Sequence, residues 1–358
     1  MERGARALVD RITVAGREAG TADAIAARLE VTAFLRSLGF QVEEHAFHFN
    51  AGIYRALPVA GGMLALLSLA EVPLLQHHAS YWALAAVLTT MLAIAAATKH
   101  LLRGEGGPGH RRADANLIAS RPGGTVRCWL VAHIDTKAQA QSMAGRLVAF
   151  WTTVVAVTAL VAASTLRLSG ALPPGPALAV GATGILAGAL IARGRLTGSS
   201  PGARDNGSGL LAVLTAAELA SDPSIGIIIT GAEEFALAGA RALARERPGH
   251  FTQASIVNVD TVDDQGTLFV VRHGRAGAVL AGRLLRRLDG LAPASRERGL
   301  PIGILVDGVP LAGVALQAVT VGRLAWGTLR AMHTPRDTAA GCLFTTAERL
   351  GERLAAPI

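Results

Sequence analysis

The stretch Ile225-Gly226-Ile227-Ile228-Ile229-Thr230-Gly231-Ala232-Glu233-Glu234 reads as a buried strand that runs out into two adjacent carboxylates. Its apolar part is β-branched and continuous, the pattern of a strand covered on both faces. Two neighbouring carboxylates at a strand exit must either repel or share a cation. Working outward, Val126–Ala132 is a second short apolar run, followed by polar His133 and Asp135. Gly209–Ala220 carries a helical apolar face after Ser208-Gly209, Ala236–Arg247 is helical, and Ser255–Val259 is a strand ending at Asp260. Leu268–Val271, Ala276–Leu288, Val314–Val319 and Thr345–Leu354 continue the alternation. Strand–helix alternation predicts an α/β fold with helices on both faces of a sheet. The polar residues fall at strand ends, where such sheets build sites.

Four apolar runs interrupt this pattern: Ala56–Leu75, Ala79–Thr98, Leu147–Leu166 and Pro176–Ala192. A membrane span needs about 20 apolar residues. The second and third runs carry no charge, the first holds only Glu71 and is broken by Pro58 and Pro73, and the fourth is shorter and glycine-rich. The links Gln76-His77-His78 and Arg167 to Gly175, with Pro173 and Pro174, are short, so each pair predicts a helical hairpin. The alternative, four core helices of a soluble protein, conflicts with a charged fraction of 17% and a mean hydropathy of +0.40, where a soluble domain carries about 25% charged residues. Glu71 reads either as an intramembrane functional acid or as a residue at a span's end.

The net charge is +8, and arginine supplies all the basic residues except Lys99 and Lys137. The bases form no stripe with interleaved aromatics, which argues against nucleic acid. They flank the apolar runs instead: Arg55, Lys99, Arg103, Arg111, Arg112, Lys137, Arg146, Arg193, Arg195 and Arg204 on one side, and only Arg167 at the two tips. By the positive-inside rule this predicts a cell (inner) membrane protein with four spans, both termini and everything outside the hairpins cytoplasmic. Residues 1–30 hold no apolar stretch of a cleavable signal, and Cys128 and Cys342 form no disulfide framework.

Five segments concentrate acids and imidazoles: Ala132-His133-Ile134-Asp135-Thr136, Arg204-Asp205-Asn206-Gly207-Ser208-Gly209, Gly231-Ala232-Glu233-Glu234-Phe235, Val257-Asn258-Val259-Asp260, and Met332-His333-Thr334-Pro335-Arg336-Asp337-Thr338. Taken singly each is bland: a turn, a helix cap or a solvated helix start. Taken together, carboxylates and imidazoles without cysteine form a ligand set for zinc or a similar divalent ion in a hydrolytic site.

In that order the segments resemble the co-catalytic di-zinc aminopeptidase family, peptidase family twenty-eight of the MH clan. The resemblance covers nearly all of the chain outside the hairpins. Gly16-Arg17-Glu18-Ala19-Gly20-Thr21 is similar to the family's opening turn before its first helix, and Leu38-Gly39-Phe40-Gln41-Val42 to the following helix end and first strand. Asn116-Leu117-Ile118-Ala119 is similar to its second strand, and Asp307-Gly308-Val309-Pro310 to a late Asp…Gly-x-Pro segment. The resemblance implies a central mixed, mostly parallel β-sheet flanked by helices, here interrupted by two transmembrane hairpins. The implied organisation is a catalytic domain over 1–54, 104–137 and 199–358, with hairpins at 55–103 and 138–198. It also implies two zinc ions: His133 and Asp260 on one, Glu234 and His333 on the other, Asp205 bridging both. Glu233 would be the general base, and Asp135 would orient His133 or its neighbourhood. Hydrolysis of the N-terminal peptide bond by a metal-bound hydroxide would follow, with a peptide bearing a free N-terminus as substrate and the lipid bilayer as the second partner.

Two departures stand out. The stretch between Asp135 and Asp205 is long, because the second hairpin is spliced into a site-forming loop. Several members place a tyrosine just before the last ligand histidine, where this chain has Met332. The splice predicts an active site near the bilayer surface and amphipathic or membrane-released substrates. Two other functions share the frame: a glutaminyl-cyclase-like acyl transfer on one zinc, and a non-catalytic membrane receptor or scaffold.

Overall fold

The computed structural model describes residues 4–77, 80–102, 111–171, 173 and 175–357. His78, Ala79, Arg103 and Pro174, all used in the span reading, lie outside the described residues, as does the 103/104 boundary. The helices are α1 (Gly4–Ile12) and α2 (Ala22–Ser37), then after strand β1 (Gln41–Asn50) the long α3 (Ile53–Gln76) and α4 (Ser80–Leu102). Strands β2 (Arg111–Ser120) and β3 (Cys128–His133) precede α5 (Met143–Leu168), α6 (Ala177–Ala192) and α7 (Gly209–Leu219). Next come β4 (Ile225–Thr230), α8 (Ala238–Glu246), β5 (Ser255–Val262), β6 (Thr267–His273), α9 (Gly277–Arg287) and β7 (Ser295–Arg298). The chain closes with α10 (Gly308–Ala312), β8 (Gln317–Leu324), α11 (Trp326–Ala331) and α12 (Thr345–Leu354).

The chain divides into two compact units. One comprises Met1–Phe49, Arg112–Ala138 and Gly198–Ile358. It holds an eight-stranded sheet in the order β1-β2-β4-β3-β5-β8-β6-β7. The central run β4, β3, β5 and β8 is parallel, β6 and β7 are parallel to each other, and β2–β4 and β6–β8 are antiparallel pairs. Strand period explains the two-sided core. Leu130 and Ala132 of β3 join Ile227 and Ile229 of β4 beneath α1, α7, α9 and α12, while Trp129, Val131 and Ile228 join Leu243 of α8 and Leu311 of α10 on the other face. Helix α12 approaches α7 so closely that a Cβ on Gly351 would lie 2.5 Å from the Ala212 carbonyl oxygen.

Three details differ from the sequence reading. The turn at Gly16–Thr21 precedes α2, not the first helix, because α1 comes before it; Ala5, Leu8, Val9 and Ile12 give α1 a buried stripe at helical spacing. Strand β5 continues past Asp260 to Val262, with its pairing to β8 shifted between Val259 and Val262, so Asp260 sits on a bulge. Strand β7 reads Ser-Arg-Glu-Arg and carries no apolar signal at all.

The second unit comprises Asn50–Arg111 and Gln139–Thr197 and holds α3 to α6. Of the four apolar runs, α3 and α5 are long and apolar enough to cross a membrane by length and composition. The apolar stretches of the other two are shorter, Ser80–Ala93 in α4 and Ala177–Ala192 in α6. At 16 residues, α6 reaches about 24 Å against a hydrocarbon core of about 30 Å. Within this unit Gly61 of α3 and Gly188 of α6 let the two backbones meet: a Cβ on Gly61 would lie 2.3 Å from the Gly188 carbonyl oxygen.

Candidate metal centre

The four parallel strands deliver their carboxyl ends to one edge of the sheet. His133 ends β3, Glu233 and Glu234 follow β4, and Asp260 lies on the β5 bulge, with β3 and β4 in register at His133–Thr230. His333 arrives after β8 through α11, and Asp205 precedes α7. This is the side on which open α/β sheets bind ligands. Backbone geometry around the ligands is unusual: Ala232, Thr261 and His333 have φ of 51°, 54° and 63°. Left-handed backbone costs a β-branched residue such as Thr261 free energy, and strain of this kind clusters at functional sites.

The side chains converge in two groups. His133, Glu233 and Asp260 form one, and Asp205, Glu234 and His333 the other, with potential ligand atoms within 4.8 Å of one another in each. Asp205 faces both: Oδ1 lies 3.3 Å from His133 Nε2 and Oδ2 lies 3.0 Å from His333 Nε2. His333 Nε2 is also 3.2 Å from Glu234 Oε1, and His133 Nε2 is 3.9 Å from Asp260 Oδ1. All six are buried except Asp260, which is partly exposed. Buried carboxylates at this density need compensating cations, and two imidazole–carboxylate groups with no thiolate fit zinc. The residues present therefore suit the metal.

Supporting contacts hold these groups in place. Asp135 accepts hydrogen bonds from the Glu233 and Glu234 amides (2.9 and 3.1 Å) on its carboxylate, while its carbonyl oxygen lies 3.0 Å from His133 Nδ1. Asp337 accepts from the amides of Arg204 and Asp205 (2.8 and 3.1 Å). Asn206 accepts from the amides of Gly209 and Thr261 and donates to the Val259 carbonyl, tying α7 to β5. Lys137 donates to Glu234 Oε2. Sequence reasoning placed Lys137 among the charges flanking the membrane, and it gave no role to Arg17, Asn206 or Asp337. The available signal is Lys137's position two residues past Asp135 in a chain whose only other lysine is Lys99.

Charge follows from these contacts. Burial pushes the Glu233 carboxyl well above the usual carboxylate range; His133 opposes the rise and Glu234, Asp307 and Asp260 add to it. Burial also disfavours ionised Glu234, but Lys137 and His333 pull it down to about 2. Asp205 overcomes its burial through hydrogen bonds from His133 and His333, which hold it well below the usual range. Asp307, whose Oδ2 accepts from Thr230 Oγ1, is pushed up to about 7 by burial.

No curated protein matches the chain in sequence. Solved structures share its fold. A glutaminyl cyclase from Porphyromonas gingivalis aligns over 98% of this chain and 95% of its own, at 17% identity and a TM-score of 0.55. A Zn-dependent exopeptidase from Parabacteroides distasonis aligns over 98% and 95% at 15% identity and 0.58. A leucine aminopeptidase precursor from Bacteroides thetaiotaomicron aligns over 98% and 94% at 14% and 0.54. In sequence, residues 192–356 match the model of Peptidase family M28, a stretch that contains Asp205, Glu233, Glu234, Asp260 and His333.

Proposed function

We propose that the chain is a membrane-anchored zinc aminopeptidase. The observation that carries this reading is Asp205, whose two carboxylate oxygens address two separate histidine–carboxylate groups. A bridging carboxylate is what a pair of divalent ions requires. His133 and Asp260 would hold one ion, Glu234 and His333 the other, with Asp205 shared. Bound zinc would supply Lewis acidity toward the scissile carbonyl and the attacking water. Glu233, set beside His133 and Asp260, accepts the proton of that water and returns it to the leaving amine. Asp135 keeps Glu233 and Glu234 aimed through their amides.

A second reading, cyclisation of an N-terminal glutamine, is favoured by Met332. It stands where several aminopeptidases have a tyrosine, and glutaminyl cyclases are among the solved proteins of this fold. In the membrane part, we propose that α3 to α6 form two hairpins over 55–103 and 138–198. The catalytic domain over 1–54, 104–137 and 199–358 and both termini then lie in the cytoplasm. The lengths of α3 and α5 and the basic residues beside the runs support this.

One experiment separates the readings. Metal-stripped and zinc-restored protein is offered a panel of aminoacyl reporters and an N-terminal glutaminyl peptide. Zinc should restore release of the first residue, and Glu233→Gln should lower it about 100-fold or more with zinc content unchanged. Ammonia release with ring closure would favour the cyclase. Full activity in Glu233→Gln would sink the assigned base.

A further inference from the structure

We propose that Lys137 is a positioning residue that holds Glu234 as a one-oxygen metal ligand. This rests on the reading of Glu234 as a ligand. Lys137 is buried, with 4% of its surface exposed, and a buried ammonium is tolerated only against a partner charge. That charge is Glu234 Oε2. The opposite oxygen, Oε1, faces His333 Nε2 at 3.2 Å, inside the group shared with Asp205. Glu234 is thereby fixed at two points: its amide donates to Asp135 Oδ2 at 3.1 Å, and its outer oxygen is engaged by the ammonium. With Oε2 committed, Glu234 can offer an ion Oε1 and cannot chelate it with both oxygens. Lys137 and Asp135 lie on the same strand exit as His133. One short segment therefore supplies a ligand to one group and sets the orientation of a ligand in the other.

The test measures zinc affinity by chelator competition, and cobalt(II) absorption in the visible, on the full-length wild type, Lys137→Met and Lys137→Gln. Outer partners of metal ligands typically contribute 10–100-fold in affinity. Lys137→Met should therefore bind zinc at least about tenfold more weakly, with a cobalt spectrum altered by the freed second oxygen. Lys137→Gln, whose amide still donates to Oε2, should regain part of the loss. Melting of the metal-stripped proteins separates folding from affinity, and Lys137→Gln serves as the comparison with wild type if Lys137→Met does not fold. Wild-type affinity and an unchanged spectrum in Lys137→Met, or in Lys137→Gln where Lys137→Met does not fold, overturn the proposal, while the zinc-binding wild type leaves the functional reading standing. A wild type that holds no zinc overturns both.

Discussion

Arg17 joins segments that are far apart in the chain. Fully buried, it donates through Nε to the Ile134 carbonyl (2.8 Å) and through its terminal nitrogens to those of Ile12 (3.0 Å), Pro201 (2.7 Å) and Gly202 (3.2 Å). The segments so joined are the end of α1, the turn after His133 and the approach to Asp205. Burial lowers its pKa to about 10, while Asp337, Asp135 and Asp205 oppose the fall, so it remains charged at neutral pH. The clamp needs a planar fork, which lysine lacks. Arg17→Lys should leave several buried carbonyls unpaired and destabilise the fold by about 2–4 kcal/mol, read as a shift of the urea midpoint. A change below about 0.5 kcal/mol, the scale of an ordinary surface substitution, would show that the clamp is replaceable. His133, Glu233, Glu234 and Asp260 are legible in the sequence because each follows an apolar run with a polar residue that such a run does not explain. Asp205 and His333 lie in polar loops and are legible only through the order of the five segments and the resemblance they carry. Arg17 and Lys137 are not legible, because their roles depend on burial and on which backbone atoms they meet. Periodicity reports neither.

At the scale of elements, apolar pattern was sufficient where both faces of a strand are covered, as in β3 and β4. It failed at β7, whose four polar residues pair only with β6 at the sheet's margin. Among the long helices the informative residues are the smallest. Gly181 of α6 abuts Val72, and Gly184 meets Ser68, while Gly188 lies against Gly61 and Ala65 of α3. Close backbone approach through small residues is how helices associate in a membrane, where lipid removes the hydrophobic drive. A Cβ on Gly188 would sit 2.4 Å from the Gly61 carbonyl oxygen and 2.9 Å from the Ala65 nitrogen, neither of which can move aside like a flexible side chain. Gly188→Val should force α3 and α6 apart and cost about 1–3 kcal/mol. The loss should appear as a lower melting temperature of the detergent-solubilised protein. Unchanged melting would mean that the α3–α6 contact is not the one holding this unit together.

At the scale of the whole molecule, several of the basic residues lie away from any membrane flank. Lys137 and Arg204 are engaged with Glu234, Asp263 and Asp337 inside the sheet-bearing unit, so neither marks a membrane flank. Arg112 pairs with Glu18 in the same unit. Arg55, Lys99, Arg111, Arg146, Arg193 and Arg195 remain on one side. At the tips, the sole basic residue, Arg167, is buried and donates through Nε to the Leu75 carbonyl at 2.9 Å, so it caps α3 within its own unit. The asymmetry therefore rests on fewer residues, and it remains the observation behind the proposed topology. Labelling positions must be chosen by exposure. Ser80 is buried, so a cysteine there would be silent on either side, whereas Ser169 is exposed and Tyr81 is 77% exposed. In a chain with Cys342 replaced by serine, and with Cys128 buried, Ser169→Cys and Tyr81→Cys should react with an impermeant maleimide on intact cells. Reaction only after lysis would invert the topology. Reaction of one position but not the other would leave one of the two proposed hairpins unsupported.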